Sequence, residues 1–152
     1  MNSNILLVVD VQPEYKDKDS KTYNKILSYI NDNKFKYDKI VAFRFVNNPE
    51  SNNFVRHLGY DDLMSVLPLD FKADEIFTNC CYGLKGLFVH ESDTVDIIGF
   101  DSDACILATA YSLWDSRVDF RVLTNYVAST GGKEYAAAAI LIAKRNFGDC
   151  VV

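Results

Sequence analysis

The sequence predicts one domain of the α/β class, and three observations lead to this prediction. Short apolar runs rich in β-branched residues recur along the chain, and longer amphipathic or polar stretches separate them. The chain has 152 residues, of which 49% are hydrophobic, so it matches one ordinary domain with a substantial core. No internal repeat, low-complexity tract or interdomain linker interrupts it, and we expect residues 1–152 to form a single domain.

Six apolar runs are predicted to be strands buried on both faces of a sheet. In chain order they are "ILLVVDV" from Ile5, "KIVAFRFV" from Lys39, "EIFTN" from Glu75, "TVDIIGF" from Thr94, "VDFRVLTN" from Val118 and "DCVV" from Asp149. Continuous apolar runs of this kind are typical of parallel strands, whose right-handed crossovers place helices on both faces. The prediction is therefore a six-stranded parallel sheet between helical layers.

The segments between the strands predict three long helices and one irregular region. Apolar residues recur at helical spacing from Tyr23 to Ile30, and residues 104–114 and 133–146 have Ala-rich faces suited to close packing. Residues 47–72 are the least regular part of the chain. Within them "NNPESNN" is predicted to be a loop, and "DDLMSVL", residues 61–67, a short helix.

Charge and composition exclude several classes of partner. The chain carries 21 acidic and 16 basic residues, a formal charge of −5, and its basic residues are scattered rather than gathered in a patch. We therefore expect no nucleic-acid partner. The sequence has no leader pattern and no apolar run long enough to cross a bilayer, so we expect a cytoplasmic protein without membrane contact.

Cysteine, histidine and glycine patterns give no sign of a metal or cofactor. The four cysteines form no CxxC pair, and the chain has only two histidines, so no zinc-finger spacing exists. Free thiols in a reducing compartment are the default for such a chain. No G-x-G-x-x-G or Walker pattern is present. We therefore expect no bound cofactor.

The predicted sheet itself selects candidate site residues. In open parallel sheets, ligands bind beyond the carboxyl ends of the strands. The residues that follow the predicted strands at this edge are Asp10, Gln12, Arg44, 79–82, 100–105 and 125–130. We therefore expect the site to be built from the polar and reactive residues of this set.

Cys105 is the candidate nucleophile at this edge. Asp103 is predicted to cap a helix that carries Cys105 in its first turn, where free N–H groups and the helix dipole favour a thiolate. The same N–H groups could hold an oxyanion. Asp10, at the end of the predicted central strand, could accept the thiol proton. The alternative interpretation is that Cys105 is only a small hydrophobe in the core.

The runs "ILLVVDVQ" and "VDIIGFDSDACILATAYSLWDSRVDFRVLTNYVAS" resemble the isochorismatase-like cysteine hydrolases, a family that includes nicotinamidases and isochorismatases. The resemblance implies a three-layer α/β/α fold with strand order 3-2-1-4-5-6. It also implies hydrolysis of small amides through a covalent thioester by an Asp, Lys and Cys triad. Asp10 matches the base and Cys105 the nucleophile. By the same resemblance the peptide between Phe100 and Asp101 is cis, and the backbone N–H groups of Asp101 and Cys105 form the oxyanion hole.

The chain departs from the family pattern at the lysine. The family lysine usually stands three residues before an aromatic residue after the third strand, and here the residue three before Tyr82 is Asn79. Lys85, predicted on a following helix, is either a replacement cation or an exposed lysine. Arg44 suits an anionic substrate group or a surface ion pair. Gln12, Arg44, Tyr82 and Phe100 are the candidate substrate-binding residues.

These observations leave two hypotheses about function. Nicotinamidases carry a D-x-H metal motif after the second strand, and the matching region "AFRFVNNPESNNFVRH" lacks it. The first hypothesis is a metal-independent cysteine hydrolase that acts on a small amide or related molecule. The alternative is a non-catalytic relative, a ligand-binding or assembly subunit, because Asn79 replaces the lysine. The resemblance also implies a homodimer or larger homo-oligomer.

Overall fold

A parallel sheet of five strands forms the centre of the computed structural model, which describes residues 2–48, 53–60, 62–83, 85–87 and 89–152. The strands are β1 (Asn4–Val9), β2 (Lys39–Phe45), β3 (Glu75–Asn79), β4 (Thr94–Gly99) and β5 (Asp119–Val127). Their order is β3-β2-β1-β4-β5, with every neighbouring pair parallel. The α/β class, the parallel sheet and the order of its first five strands are confirmed.

The helices among the described residues cover both faces of this sheet. They are α1 (Ser20–Asn33), α2 (Asn53–Leu58), α3 (Cys105–Asp115) and α4 (Lys133–Phe147). On one face, α1 buries Tyr23, Ile26 and Ile30 against alternate residues of β1 and β4. On the other face, α3 and α4 pack on the intervening residues of the same strands. The alternation follows from the two-residue period of a strand.

The predicted sixth strand is not formed, and this prediction is wrong. Gly148 adopts a left-handed φ of 57°, and Gly148–Cys150 form a 3₁₀ turn after α4. Only Val151 then pairs with the sheet, through a single parallel bridge to Val122. Because residues 148–150 are in this turn, they cannot form a strand beside β5. The edge of the sheet next to β5 therefore has a single bridge and no sixth strand.

The irregular region differs from the prediction in its helix. The described part of "DDLMSVL", residues 62–67, is not helical, because Leu63 has a left-handed φ of 57° and a proline follows Leu67. Asp61 and residues 49–52 of the predicted loop lie outside the described residues. The short helix α2 begins at Asn53 instead. Asn47 anchors the region, since its side chain donates to the carbonyls of Tyr60 and Asp62.

A glycine brings β1 and β4 together where the candidate site begins. Gly99 has a φ of 124°, and a Cβ at this position would lie 2.0 Å from the carbonyl oxygen of Val9. The next N–H, that of Phe100, donates to the same carbonyl at 2.9 Å. Only glycine permits this approach. It sets Asp10, which follows Val9, beside the turn that leads to α3.

No helix in the described ranges is both long and apolar enough to span a bilayer.

Candidate active site

Asp10 and Cys105 lie side by side at the carboxyl edge of the sheet, where each side chain acts on the pKa of the other. Asp10 follows β1 with a left-handed φ of 53°, and its N–H donates to the carbonyl of Phe43 at 2.9 Å. Cys105 is the first residue of α3. Both residues are buried, with 7% and 8% of their surface exposed. The thiol therefore lies against a carboxyl group rather than in a purely apolar core.

Burial controls the protonation of this pair. It raises the pKa of the Asp10 carboxyl from 3.8 to about 7, and the opposing effect of the Cys105 hydrogen bond is smaller. Burial also raises the pKa of the Cys105 thiol, and the negative charge of Asp10 raises it further. Cys105 therefore rests as a neutral thiol. The expectation of a thiolate favoured by the start of α3 is wrong, because desolvation and Asp10 outweigh the helix.

The predicted helix cap is also wrong. Asp103 is exposed, and the residue that caps α3 is Ala104, which has no side-chain hydrogen bond to offer. The backbone carbonyl of Asp101 caps the start of α3 instead. It accepts hydrogen bonds from the N–H groups of Ala104 at 3.1 Å and Ile106 at 3.0 Å. Sequence reasoning missed it because a backbone carbonyl leaves no mark in the sequence.

Asp101 connects the cysteine turn to the segment after β5. The peptide between Phe100 and Asp101 is cis, as the resemblance implied. The Asp101 carboxylate accepts hydrogen bonds from the N–H of Thr130 at 2.6 Å and from its hydroxyl at 2.8 Å. A hydrogen bond from the Asp101 backbone also lowers the pKa of Cys105, although burial outweighs it. The Asp101 amide therefore acts on the Cys105 sulfur.

The Cys105 amide is the second donor at this place. Its N–H donates to no acceptor within the described ranges, as expected for the first residue of a helix. Two backbone N–H groups, those of Asp101 and Cys105, are thus near the sulfur, the first through its effect on the thiol and the second in the same residue. Such a pair can stabilise negative charge that develops on a carbonyl oxygen.

A cavity of about 270 Å³ opens beside the pair, and both Asp10 and Cys105 line it. Of the described residues, five with aromatic rings contribute to its wall, namely Tyr15, Phe45, Phe54, Tyr60 and Tyr82. Phe54 contacts Phe45 and Tyr82 edge to face, with ring centroids 4.9 and 4.8 Å apart. The cavity is large enough for a small organic molecule with a flat or compact body.

Charged groups also line the cavity. Lys18 lies in the turn after the Pro13–Tyr15 3₁₀ helix, and its charge lowers the pKa of Asp101 against the larger effect of burial. Asp62, from the irregular region, faces the same space, and its charge acts on Tyr15. Sequence reasoning missed both residues. The run "PEYKDK" soon after Asp10 was the signal for Lys18, whereas nothing in the sequence marked Asp62.

Solved structures of similar shape were found, although no family model and no curated protein matches the sequence. A nicotinamidase from Bacillus subtilis is 14% identical, covers 98% of each chain and has a TM-score of 0.76. N-carbamoylsarcosine amidase from Thermoplasma acidophilum is 20% identical over 97% of this chain and 94% of that chain, with a TM-score of 0.72. An isochorismatase-like hydrolase from Alkaliphilus metalliredigens is 16% identical over 93% and 91%, with a TM-score of 0.70.

The chain has the isochorismatase-like fold. The resemblance first seen in the sequence runs around Asp10 and Cys105 is confirmed at the level of the fold. In this isochorismatase-like fold the two motifs lie side by side at the carboxyl edge, although 95 positions of numbering separate them.

Two predicted substrate-binding residues, Gln12 and Phe100, do not line the cavity. The Gln12 amide nitrogen donates to the carbonyl of Phe45 at 2.9 Å, and its oxygen accepts from the N–H of Phe45 at 2.7 Å. Gln12 thus holds the end of β2 in place. Phe100 is buried against Tyr15, with ring centroids 6.3 Å apart. Both residues support the cavity wall from behind.

Arg44 and Asn79 line a separate void of about 10 Å³, together with Asp10 and Tyr82. Arg44 donates to the hydroxyl of Thr78 at 3.2 Å. The Asn79 side chain donates to the carbonyl of Lys85 at 3.2 Å. Tyr82 is therefore the predicted substrate-binding residue that reaches the main cavity.

Lys85 acts on Cys81, since its charge lowers the pKa of that thiol against the larger effect of burial. The described residues around it form bends rather than the predicted helix, and Lys85 is not among the residues that line the cavity. The lysine that does line the cavity is Lys18, which comes from a different part of the chain.

The described residues do not fit the metal site that the resemblance implies for nicotinamidases. No three His, Cys, Asp or Glu side chains in the described ranges are grouped closely enough to hold a metal ion. His57 lies on α2 and lines a different depression, beside Cys80 and Cys81. No step of the chemistry is therefore assigned to a metal.

Proposed function

We propose that the protein is a cysteine hydrolase of small amides or closely related molecules. The observation that carries this proposal is that Asp10 and Cys105 lie together on the wall of a cavity large enough for such a substrate. The nicotinamidases and amidases among its structural relatives support amide hydrolysis in general. Asp10, Cys105 and the Asp101 amide supply the base, the nucleophile and a donor for the oxyanion.

In the first half of the proposed reaction, the Asp10 carboxylate takes the thiol proton as the sulfur attacks the substrate carbonyl. Proton transfer accompanies attack because a free thiolate is disfavoured beside Asp10. The N–H groups of Asp101 and Cys105 stabilise the oxyanion. The protonated Asp10 then gives its proton to the departing nitrogen, which leaves as ammonia or an amine, and a thioester remains on Cys105.

In the second half, water replaces the nitrogen. Asp10, again a carboxylate, takes a proton from the attacking water, and the same N–H groups hold the second oxyanion. The C–S bond breaks, the sulfur recovers a proton from Asp10, and the carboxylic acid product leaves. The pKa of about 7 at Asp10 suits both roles, because the group gains and loses a proton readily near neutral pH.

Ammonia release from a panel of small primary amides tests the proposal. We expect at least one amide to be hydrolysed by the native protein and Cys105→Ala to lower the rate by about 10³-fold or more. Cys150→Ala is the matched control, since Cys150 is half-buried near the opposite edge of the sheet and does not line the cavity. Equal activity in the native protein and Cys105→Ala would rule out the proposed nucleophile.

A non-catalytic ligand-binding protein is the second candidate, and Asn79 is the observation that favours it. A neutral amide at 79 cannot supply the positive charge that a triad lysine gives to a thiolate. Asn79 does lie beside Asp10 on the small void, so a longer cationic side chain there would face the pair.

Asn79→Lys separates the two candidates. A lysine ammonium about 4 Å from the sulfur should contribute on the order of 1 kcal/mol or more, so the pKa of Cys105 should fall. The pH dependence of Cys105 alkylation measures this shift, with Asn79→Met as the uncharged control of similar length. In a hydrolase, amide or ester hydrolysis should also rise above a Cys105→Ala background. A lower pKa with turnover still at the background level would favour the binding protein, and an unchanged pKa would mean that residue 79 does not face the sulfur.

A further inference from the structure

Aromatic rings make up much of the wall of the cavity beside Cys105. Tyr82 lies close to the sulfur, since the charge of Cys105 contributes to its raised pKa. Phe54 packs edge to face on Tyr82. Tyr60 lines the same cavity, and its charge contributes to the raised pKa of Tyr82. Aromatic faces carry a negative quadrupole, and several of them around one cavity attract a cation.

Carboxylates outnumber cations around this space. The Asp101 carboxylate is held by Thr130 and is also the group on which Lys18 acts. The Asp62 carboxylate, by contrast, makes no ion pair and accepts no side-chain hydrogen bond among the described residues. Asp103 adds a further negative charge that acts on Asp101 and Tyr82. The field in the cavity is therefore negative even after Lys18 is counted.

We propose that the cavity recognises a small amide or ester whose far end carries a permanent positive charge, such as a quaternary ammonium group. The ammonium group lies against the aromatic faces of Tyr60 and Tyr82 near the Asp62 carboxylate, and the carbonyl lies at Cys105. The part of this inference that concerns substrate class rests on the proposed hydrolase. The binding of the cation does not, because the rings and Asp62 act without turnover.

The positive charge of the substrate has a second consequence in this site. Asn79 leaves the Asp10 and Cys105 pair without the lysine of the family pattern, and the charges of Asp10 and Asp101 both oppose a thiolate. A bound cation offsets part of that negative field and favours loss of the thiol proton to Asp10. The cation of the substrate thereby supplies the positive charge that the family lysine would give and Asn79 does not.

Lys18 is the residue that works against a cationic ligand. It is exposed, and its turn is held by the N–H of Lys18 donating to the carbonyl of Tyr15 at 3.0 Å. Its charge acts on Asp101, and the Asp62 carboxylate has no ion pair among the described residues. Lys18→Met should therefore strengthen cation binding, whereas it should weaken the binding of an anionic ligand.

Calorimetric titration of Cys105→Ala with a matched pair of ligands tests the proposal without any turnover. Choline and 3,3-dimethylbutan-1-ol have the same shape and differ in the charge of one central atom. We expect choline to bind about tenfold more tightly, the range that cation–π and charge contacts produce. Asp62→Asn in the same background should remove most of that preference and leave the binding of the neutral alcohol unchanged. Phe35→Leu, at an exposed aromatic residue that does not line the cavity, is the control.

The outcomes separate this inference from the proposed function. Equal affinity for choline and the alcohol, or no binding of either, overturns the inference, as does an unchanged preference in Asp62→Asn. Selective choline binding supports the recognition step even if the native protein hydrolyses no amide or ester. Hydrolysis of neutral amides without choline binding would support the hydrolase and overturn the inference.

Discussion

Asp10 combines a strained backbone with an unfavourable environment for its charge. A left-handed φ of 53° is costly for most side chains but accessible to Asp and Asn. Burial then raises the pKa of its carboxyl to about 7. Strain and burial of this kind cluster at functional sites, where they serve chemistry rather than stability. Asp10 should therefore lower the stability of the fold while making the thiol reactive.

Replacing Asp10 by asparagine tests this cost. The folded protein holds the Asp10 proton up to a pKa of about 7, whereas the unfolded chain loses it near 3.8, so this group lowers the free energy of unfolding as pH rises between those values. Asp10→Asn, which keeps the left-handed φ, should be more stable than the native protein at about pH 8 by on the order of 3–4 kcal/mol. The gain should shrink towards about pH 4.

Urea unfolding of both proteins at the two pH values measures the effect. Asp17→Asn, which removes an exposed carboxylate from the turn after the Pro13–Tyr15 3₁₀ helix, is the control and should show no such change. A stability difference between native and Asp10→Asn that stays the same at both pH values would contradict the account.

That Asp10 and Cys105 lie close together could be predicted from the sequence, but their electrostatics could not. Asp10 and Cys105 were found because each follows an apolar strand whose end must lie at the same edge of the sheet. The pKa values depend on how deeply the pair is buried and on the charges of Asp101 and Asp10. Those quantities come from three-dimensional packing, so the helix argument alone gave the wrong direction for Cys105.

At the scale of elements, the contact between β1 and β4 determines where the two halves of the site meet. Gly99 lets the carbonyl of Val9 approach so closely that no side chain would fit. Phe100 and Asp101 then leave the sheet directly beside Asp10. A shift of either strand would separate Asp10 from Cys105.

Gly99→Ala should therefore be strongly destabilising, by on the order of 4 kcal/mol or more. Its Cβ would meet the Val9 carbonyl oxygen at 2.0 Å, and its φ of 124° is unfavourable for alanine as well. Gly132→Ala is the matched control, because Gly132 has a φ of 111° but nothing within 4 Å of an added Cβ. It should cost about 1–2 kcal/mol from backbone strain alone. Equal losses of unfolding free energy in chemical denaturation would show that the close contact does not matter.

Elements with strong periodic patterns could be predicted, and weakly patterned ones could not. The run from Glu75 to Asn79 became β3 with the predicted bounds, and the long helices began within a few residues of their predicted starts. The sixth strand failed because Gly148 turns the chain, and the helix at 61–67 failed because Leu63 adopts a left-handed φ. Short segments gain too few local contacts for their pattern to decide their structure.

At the scale of the whole molecule, the site draws on most of the chain. Asp10, Asp101 and Cys105 follow the ends of β1 and β4, whereas much of the cavity wall comes from distant parts of the chain, among them Tyr15, Phe54, Tyr60, Asp62 and Thr130. The sheet edge was predictable because topology dictates it. The cavity wall could not be predicted, because loops from distant parts of the sequence approach one another only in the folded protein. The expected homo-oligomer remains a prediction.

Metal independence is a prediction about the whole protein. Neither the sequence nor the described residues supply a cluster of three metal-binding side chains. Dialysis against EDTA should therefore leave the rate of amide hydrolysis unchanged within about twofold. A larger fall in the rate that is reversed by stoichiometric zinc or iron would contradict metal independence. Elemental analysis of the untreated protein provides the independent check.

The central claim is that Asp10 activates Cys105 to form a thioester, and acylation of the protein by p-nitrophenyl acetate tests it most directly. Mass spectrometry of rapidly quenched samples should find one acetyl group on the peptide that contains Cys105, and Cys105→Ala should lack it. Because the carboxylate form of Asp10 is the base, the rate of acylation should rise with pH through about 7, and Asp10→Asn should acylate far more slowly without that dependence. Acetylation that appears first at Cys80, Cys81 or Cys150, or a rate on Cys105 that is the same in Asp10→Asn, would contradict the account.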